Sequence, residues 1–81
     1  MKYLLLPKAV EMLSKLSPHL QKKFWKQVRL LLNNSRHPSL RAKKYDESEN
    51  IWQARIDDHY RFYFKIEKDI YVIIKLRAHT D

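Results

Sequence analysis

The sequence predicts an α+β fold of order β-α-α-β-β-β, with a helical hairpin packed on one face of an antiparallel sheet. Two patterns support this prediction. Residues 7–32 repeat apolar side chains every three to four positions, as amphipathic helices do. After residue 50, apolar and polar residues alternate as in strands, in the segments "IWQARI", "YRFYFKI" and "IYVIIKLRAH". A chain of 81 residues has room for a single domain, residues 1–81.

The first half of the chain contains the predicted helices. "KYLLL" reads as a short strand, and Pro7 marks the start of the first helix, where its missing N–H costs nothing. Ser17 and Pro18 are predicted to cap and begin a second helix, which runs to about Leu32. The predicted buried faces consist of Val10, Leu13 and Leu16, and then Leu20, Phe24, Val28 and Leu31.

The second half is predicted to be a polar loop, residues 36–50, followed by an antiparallel meander with turns of about three residues. Alternation assigns ten side chains of the meander to the core: Trp52, Ala54, Ile56, Tyr60, Phe62, Phe64, Ile70, Val72, Ile74 and Leu76. In the same register Arg55 lies opposite Arg61, and Arg61 lies opposite Lys75. Three cations therefore form a row across the predicted sheet.

This row of cations indicates a binding site. Like charges placed opposite each other destabilise a sheet by several tenths of a kcal/mol, so a sequence that tolerates them often serves a function. A phosphate in the row would turn the repulsion into attraction, and the planar fork of arginine grips phosphate oxygens in pairs. The alternative is a solvated face whose charges point apart, with Asp57 relieving part of the repulsion.

The charge of the chain also favours an anionic partner. The net charge is +8, and residues 1–44 carry eleven basic residues and a single acid. Such a chain usually binds nucleic acid or an acidic protein. The side chains predicted to bind RNA, besides the row, are Lys43, Lys44, Lys75, Arg77 and Tyr63. Aromatic candidates for stacking on bases are Trp25, Tyr45 and Tyr63.

Several classes of chemistry are not expected. The chain has no Cys, which excludes disulfides and thiolate chemistry, and no Gly, which excludes a glycine-rich phosphate loop. Its His, Asp and Glu residues lack metal-ligand spacing, so neither a metal nor another cofactor is expected. "YLLLP" is too short for a signal-peptide core or a membrane span. The protein is therefore expected to be soluble and cytoplasmic.

His79 continues the alternation one step past Arg77. A cationic neighbourhood disfavours the imidazolium form, so a neutral His79 could accept a proton near neutral pH. A general base beside a phosphate clamp is what cleavage of RNA by its own 2′-hydroxyl requires. The alternative is an ordinary surface histidine, which is the prediction for His19, His37 and His59.

The segments "HPSLRAKKY", "IWQARI", "YRFYF" and "KLRAH", in this order, resemble the RelE/ParE superfamily of bacterial and archaeal type II toxins. The resemblance covers essentially the whole chain. It implies that Arg55 matches a basic residue of the first meander strand and that Arg61 matches an arginine that stabilises charge on the scissile phosphate. His79 falls where related nucleases have a catalytic His or Arg. Two positions depart from the pattern. Gln53 stands where RelE has a lysine, and Thr80 stands where some members have a tyrosine.

The resemblance implies a toxin held inactive by a small acidic antitoxin. In the RelE-like branch, the toxin enters the ribosomal A site and cuts mRNA without a metal. The predicted function is therefore that of a ribosome-dependent mRNA endonuclease, with the antitoxin, the ribosome and mRNA as partners and no membrane. The alternatives are a ParE-like inhibitor of DNA gyrase and a nucleic-acid-binding protein without catalytic activity.

Overall fold

The computed structural model describes residues 1–78 and consists of a five-stranded sheet with two helices packed on it. Its elements in chain order are β1 (Lys2–Leu5), α1 (Pro7–Ser14), α2 (Pro18–Asn33), a 3₁₀ turn (Pro38–Leu40), β2 (Lys43–Asp46), β3 (Ile51–Arg55), β4 (Tyr60–Glu67) and β5 (Ile70–Ala78). The strand order is β1-β5-β4-β3-β2. The predicted α+β class and the helical hairpin are confirmed.

The sheet differs from the prediction in two respects. β1 pairs in parallel with β5, with Lys2 opposite Ile70, so the sheet is mixed rather than wholly antiparallel. Residues 43–46, predicted to lie in the polar loop, form an edge strand antiparallel to β3. The sequence of this strand, KKYD, shows no alternation of apolar and polar residues. Charged side chains are typical of an exposed edge strand.

Local signals in the sequence place both helices. α1 begins at Pro7, and α2 is capped by the Ser17 hydroxyl oxygen, which accepts a hydrogen bond from the Leu20 N–H at 3.2 Å. The predicted buried face of α1 is confirmed at Leu13 and was wrong at Val10, which is 51% exposed, while the neighbouring Ala9 is fully buried.

The core lies between the helices and the sheet and contains most of its predicted members. Nine of them are buried: Leu13, Phe24, Val28, Leu31, Ala54, Ile56, Phe62, Phe64 and Leu76. Trp52 and Tyr60 are partly buried and pack against this cluster. In β5, the buried residues include Tyr71 and Ile73, whereas Ile70, Val72 and Ile74 were wrongly predicted to be core.

The second hairpin explains the error in β5. Its turn contains only Lys68 and Asp69, and Lys68 has a positive φ of 56°, as two-residue hairpin turns require at one or both central positions. This turn shifts the pairing of the first half of β5 by one residue. Tyr63 pairs with Lys75 and Phe64 with Ile73, so Ile74 is the extra residue of a bulge. The bulge shifts the pairing by one more residue, and Leu76 therefore faces the core as predicted.

Candidate functional site

A row of three arginines crosses β3, β4 and β5. Arg55 lies opposite Arg61, as predicted, and Arg61 lies opposite Arg77. The predicted third member, Lys75, instead lies opposite Tyr63, because the two-residue turn and the bulge in β5 each shift the pairing by one residue. Adjacent strands are about 4.8 Å apart, so the row places three arginines side by side on neighbouring strands. Alternation puts it on the sheet face away from the helices.

The β3–β4 loop fixes two of these arginines. The Arg55 guanidinium pairs with the Asp58 carboxylate and is 23% exposed. Arg61 Nη1 donates to the Asp57 carbonyl at 2.6 Å and to the Tyr60 carbonyl at 3.1 Å. Hydrogen bonds to carbonyls hold the side chain without neutralising its charge. Among residues 1–78, neither Arg61 nor the exposed Arg77 has a carboxylate partner within 4.0 Å, so both charges remain available to an anion.

Gln27 on α2 supports the row from the helical layer. Its side chain is 6% exposed, and its Nε2 donates to the Arg55 carbonyl at 2.8 Å and to the Ser39 carbonyl at 3.2 Å. One side chain therefore joins α2, the 3₁₀ turn and the end of β3. This residue was not predicted from the sequence. Its signal is a polar side chain on the apolar face of α2, three residues after Phe24 and one before Val28.

A second row lies beside the arginines on the same face. Lys43, Gln53, Tyr63 and Lys75 are paired in register across four strands. Lys75 Nζ is 5.2 Å from the centre of the Tyr63 ring, a distance that allows a cation–π interaction. Lys43 is exposed, and Tyr63 is only 4% exposed. Of the predicted RNA-binding residues, Lys43, Lys75, Arg77 and Tyr63 are thus brought together near Arg61.

The remaining predicted residues lie elsewhere. Lys44 Nζ sits 4.6 Å from the centre of the Trp52 ring and donates to Asn50 Oδ1 at 2.6 Å, so it points toward the helical side of the sheet. His79 lies outside the described residues, and its catalytic role stays a prediction. Within residues 1–78, no three His, Asp or Glu side chains are grouped as metal ligands. No helix in that range is long and apolar enough to cross a membrane.

The chain has the fold of the RelE/ParE toxin superfamily, as the resemblance predicted. It is similar to the YoeB/ParE toxin from Agrobacterium tumefaciens, with a TM-score of 0.82, 14% identity, and coverage of 99% of this chain and 100% of that one. RelE in the Pyrococcus horikoshii RelE–RelB complex gives a TM-score of 0.79 at 17% identity, covering 95% and 92% of the two chains. YafQ from E. coli gives 0.74 at 11% identity, covering 96% and 92%.

Several other structures with this fold contain a second protein. They include the YoeB–YefM complex from Staphylococcus aureus and the E. coli DinJ–YafQ complex. No protein-family model and no curated relative matches the sequence. At these identities, the likeness establishes the fold, and the chemistry has to be argued from the side chains.

Proposed function

We propose that this chain is the toxin of a toxin–antitoxin pair and that it inhibits translation by cutting mRNA on the ribosome. The observation that carries the proposal is the arginine row, in which no carboxylate of residues 1–78 lies within 4.0 Å of Arg61 or Arg77 beside Arg55. A row of like charges is unfavourable in the free protein. A bound phosphate removes that cost, and the fold is one found in toxins.

The proposed reaction uses the RNA's own 2′-hydroxyl as nucleophile. Its oxygen forms a bond to the adjacent phosphorus and the bond to the 5′ oxygen breaks, which leaves a 2′,3′-cyclic phosphate and a 5′-hydroxyl. His79 takes the proton of the attacking hydroxyl, and the leaving oxygen takes up a proton from solvent water. Arg61 and Arg77 stabilise the negative charge that builds up on the phosphate oxygens. Arg55, held by Asp58, adds to the positive potential of the site.

The rest of the basic surface is assigned to the partners. α2 carries Lys22, Lys23, Lys26 and Arg29 and no acidic residue. These side chains, with Lys43 and Lys44, contact ribosomal or messenger RNA phosphates in the proposed complex. The cognate antitoxin is expected to be acidic, because it has to cover a chain of charge +8. RelE and YoeB are themselves found in complexes with RelB and YefM.

The proposal is tested in a translation system reconstituted from purified components. The parent protein should stop synthesis and leave mRNA cut within codons in the ribosomal A site. Arg61→Ala should leave the message intact, while a variant of the remote, exposed Lys8 should cut like the parent. The same preparations are assayed for inhibition of DNA gyrase. Intact mRNA together with inhibited gyrase would refute the nuclease and identify a ParE-like toxin.

A further inference from the structure

Tyr45 occupies a bulge in the edge strand β2. Lys44 pairs with Trp52 and Asp46 pairs with Ile51, so Tyr45 is the extra residue between two paired positions. A bulge locally turns the side chain of the extra residue away from the regular pleat. Tyr45 is 47% exposed, so about half of its surface is available to a ligand.

The Tyr45 ring lies over the outer face of the sheet and rests on Tyr63. The ring centres are 4.8 Å apart, and the planes are inclined at 65°. Tyr63 is on β4, two strands away, so the Tyr45 side chain reaches across β3. Tyr63 is nearly buried, with Lys75 on its ring. The Tyr45 ring is therefore supported from beneath and open to solvent above.

This aromatic pair borders the arginine row. Tyr63 is two residues from Arg61 on the same strand, a separation of about 7 Å along the sheet face. Burial raises the pKa of the Tyr63 phenol, and Tyr45 raises it further, while Arg77 and Arg61 act in the opposite direction. A separation of about 7 Å equals two base-stacking steps of about 3.4 Å. The Tyr45 ring centre lies 4.8 Å from the Tyr63 ring centre, so the base of a nucleotide that neighbours the phosphate in the row can reach Tyr45.

The surroundings of Tyr45 favour a base over an apolar protein side chain. The other large apolar side chains exposed in residues 1–78 lie on β1, on α1 and near the far end of β4: Met1, Tyr3, Leu4, Val10 and Ile66. Lys43, Gln53 and Lys75 are paired in register with Tyr63, on which the Tyr45 ring rests. An exposed ring close to lysines is typical of surfaces that bind single-stranded nucleic acid.

We infer that Tyr45 is a base-stacking residue that holds an unpaired RNA base next to the phosphate in the arginine row. Tyr63 and Lys75 act as positioning residues that support its ring. The inference rests on the proposed function, since it assumes that the phosphate in the row belongs to RNA. Tyr45 then contributes to base selectivity at the cleavage point, and it lies on β2, which was predicted from the sequence to be part of a loop.

The test uses an RNA probe of about ten nucleotides, within the usual site size of single-strand binders. The central base is 2-aminopurine, whose fluorescence is quenched by stacking, and every ribose carries a 2′-O-methyl group in place of the 2′-hydroxyl, so the probe cannot be cut. The parent and Tyr45→Phe should quench the probe. Tyr45→Leu should lose the quenching and bind about five- to a hundredfold more weakly, the range for losing one base–aromatic stack. The control is Tyr3→Leu, which removes a ring of similar exposure, 44%, from β1.

The outcomes are decisive for Tyr45 and independent of catalysis. Quenching that survives Tyr45→Leu, or that Tyr3→Leu abolishes equally, overturns the inference, and so does a parent protein that never quenches the probe. Circular dichroism of each variant checks that the fold is retained. Because the probe cannot be cleaved, a protein that stacks the base but cuts no mRNA refutes the nuclease proposal and leaves the role of Tyr45 standing.

Discussion

Replacing the buried Gln27 by alanine should lower the free energy of unfolding of the protein strongly. The substitution removes two hydrogen bonds and leaves the Arg55 and Ser39 carbonyls without their donor. Each buried carbonyl left unpaired costs about 1–3 kcal/mol. Water can reach the carbonyl of the exposed Ser39, so the expected total is about 2–4 kcal/mol. A domain of this size has a free energy of unfolding of about 4–12 kcal/mol, so the variant still folds.

The assay compares Gln27→Ala with Gln21→Ala in thermal unfolding and in mRNA cleavage. Gln21 is a matched control, because its Nε2 also donates to two carbonyls, those of Leu13 and Leu16, at 3.1 Å each. For a domain of under a hundred residues, 2–4 kcal/mol lowers Tm by between about 8 and 30 °C. Both variants should lose stability. Only Gln27→Ala should slow cleavage at temperatures where both are fully folded, because it alone releases the end of β3 that carries Arg55.

Two results would refute this reasoning. A change in Tm of less than about 2 °C for Gln27→Ala would mean that the two hydrogen bonds contribute little stability. Equal loss of cleavage in both variants would mean that Gln27 does not position the arginine row. Gln27→Glu adds a pH test, because an ionised carboxylate cannot donate to the two carbonyls. Burial raises the pKa of such a carboxyl, so this variant should gain stability as the pH falls and the group becomes protonated.

Three further predictions concern the charged groups. Arg61→Ala should slow cleavage about a hundredfold, with Arg61→Lys intermediate, and single-turnover rates equal to the parent's would show that Arg61 does not stabilise the transition state. His79→Ala and His79→Gln should both be inactive yet folded, because neither side chain takes up a proton, and a parental rate in either would remove the base from the mechanism. Neutralising three α2 cations should make the plot of log affinity for the ribosome against log salt concentration less steep, by the equivalent of about three phosphate contacts. Neutralising three remote lysines should leave this slope unchanged. The two sets are Lys22, Lys26 and Arg29, and Lys2, Lys8 and Lys68.

The fold could be predicted wherever the signal was local. Pro7, Ser17 and Pro18 act within one helical turn, and the structure places both helices where these residues indicated. The first hairpin was also predicted in register. β2 could not be predicted, because "KKYD" becomes a strand only through its pairing with β3, and pairing leaves no alternation in a short polar edge.

The site was predicted in part for the same reason. Arg55 and Arg61 were placed opposite each other because their loop has the expected length. Arg77, and not the predicted Lys75, completes the row, because a two-residue turn and a bulge at Ile74 each shift the pairing by one residue. Neither irregularity is visible in an unbroken β-favouring run. Gln27 was overlooked because its partners are backbone carbonyls far along the chain, which no sequence pattern reveals.

The pairing of β1 with β5 has a consequence for how the protein is made. Lys2 N–H donates to the Asp69 carbonyl and Leu6 N–H to the Ile73 carbonyl, each at 2.9 Å. β1 can therefore form these hydrogen bonds only when the residues of β5 and its turn are present. Arg77 also belongs to β5. Chains emerge from the ribosome N-terminus first, and contacts between distant segments form late. The arginine row is therefore incomplete until β5 has emerged, and under the proposed function a nascent chain cannot cut mRNA before that point.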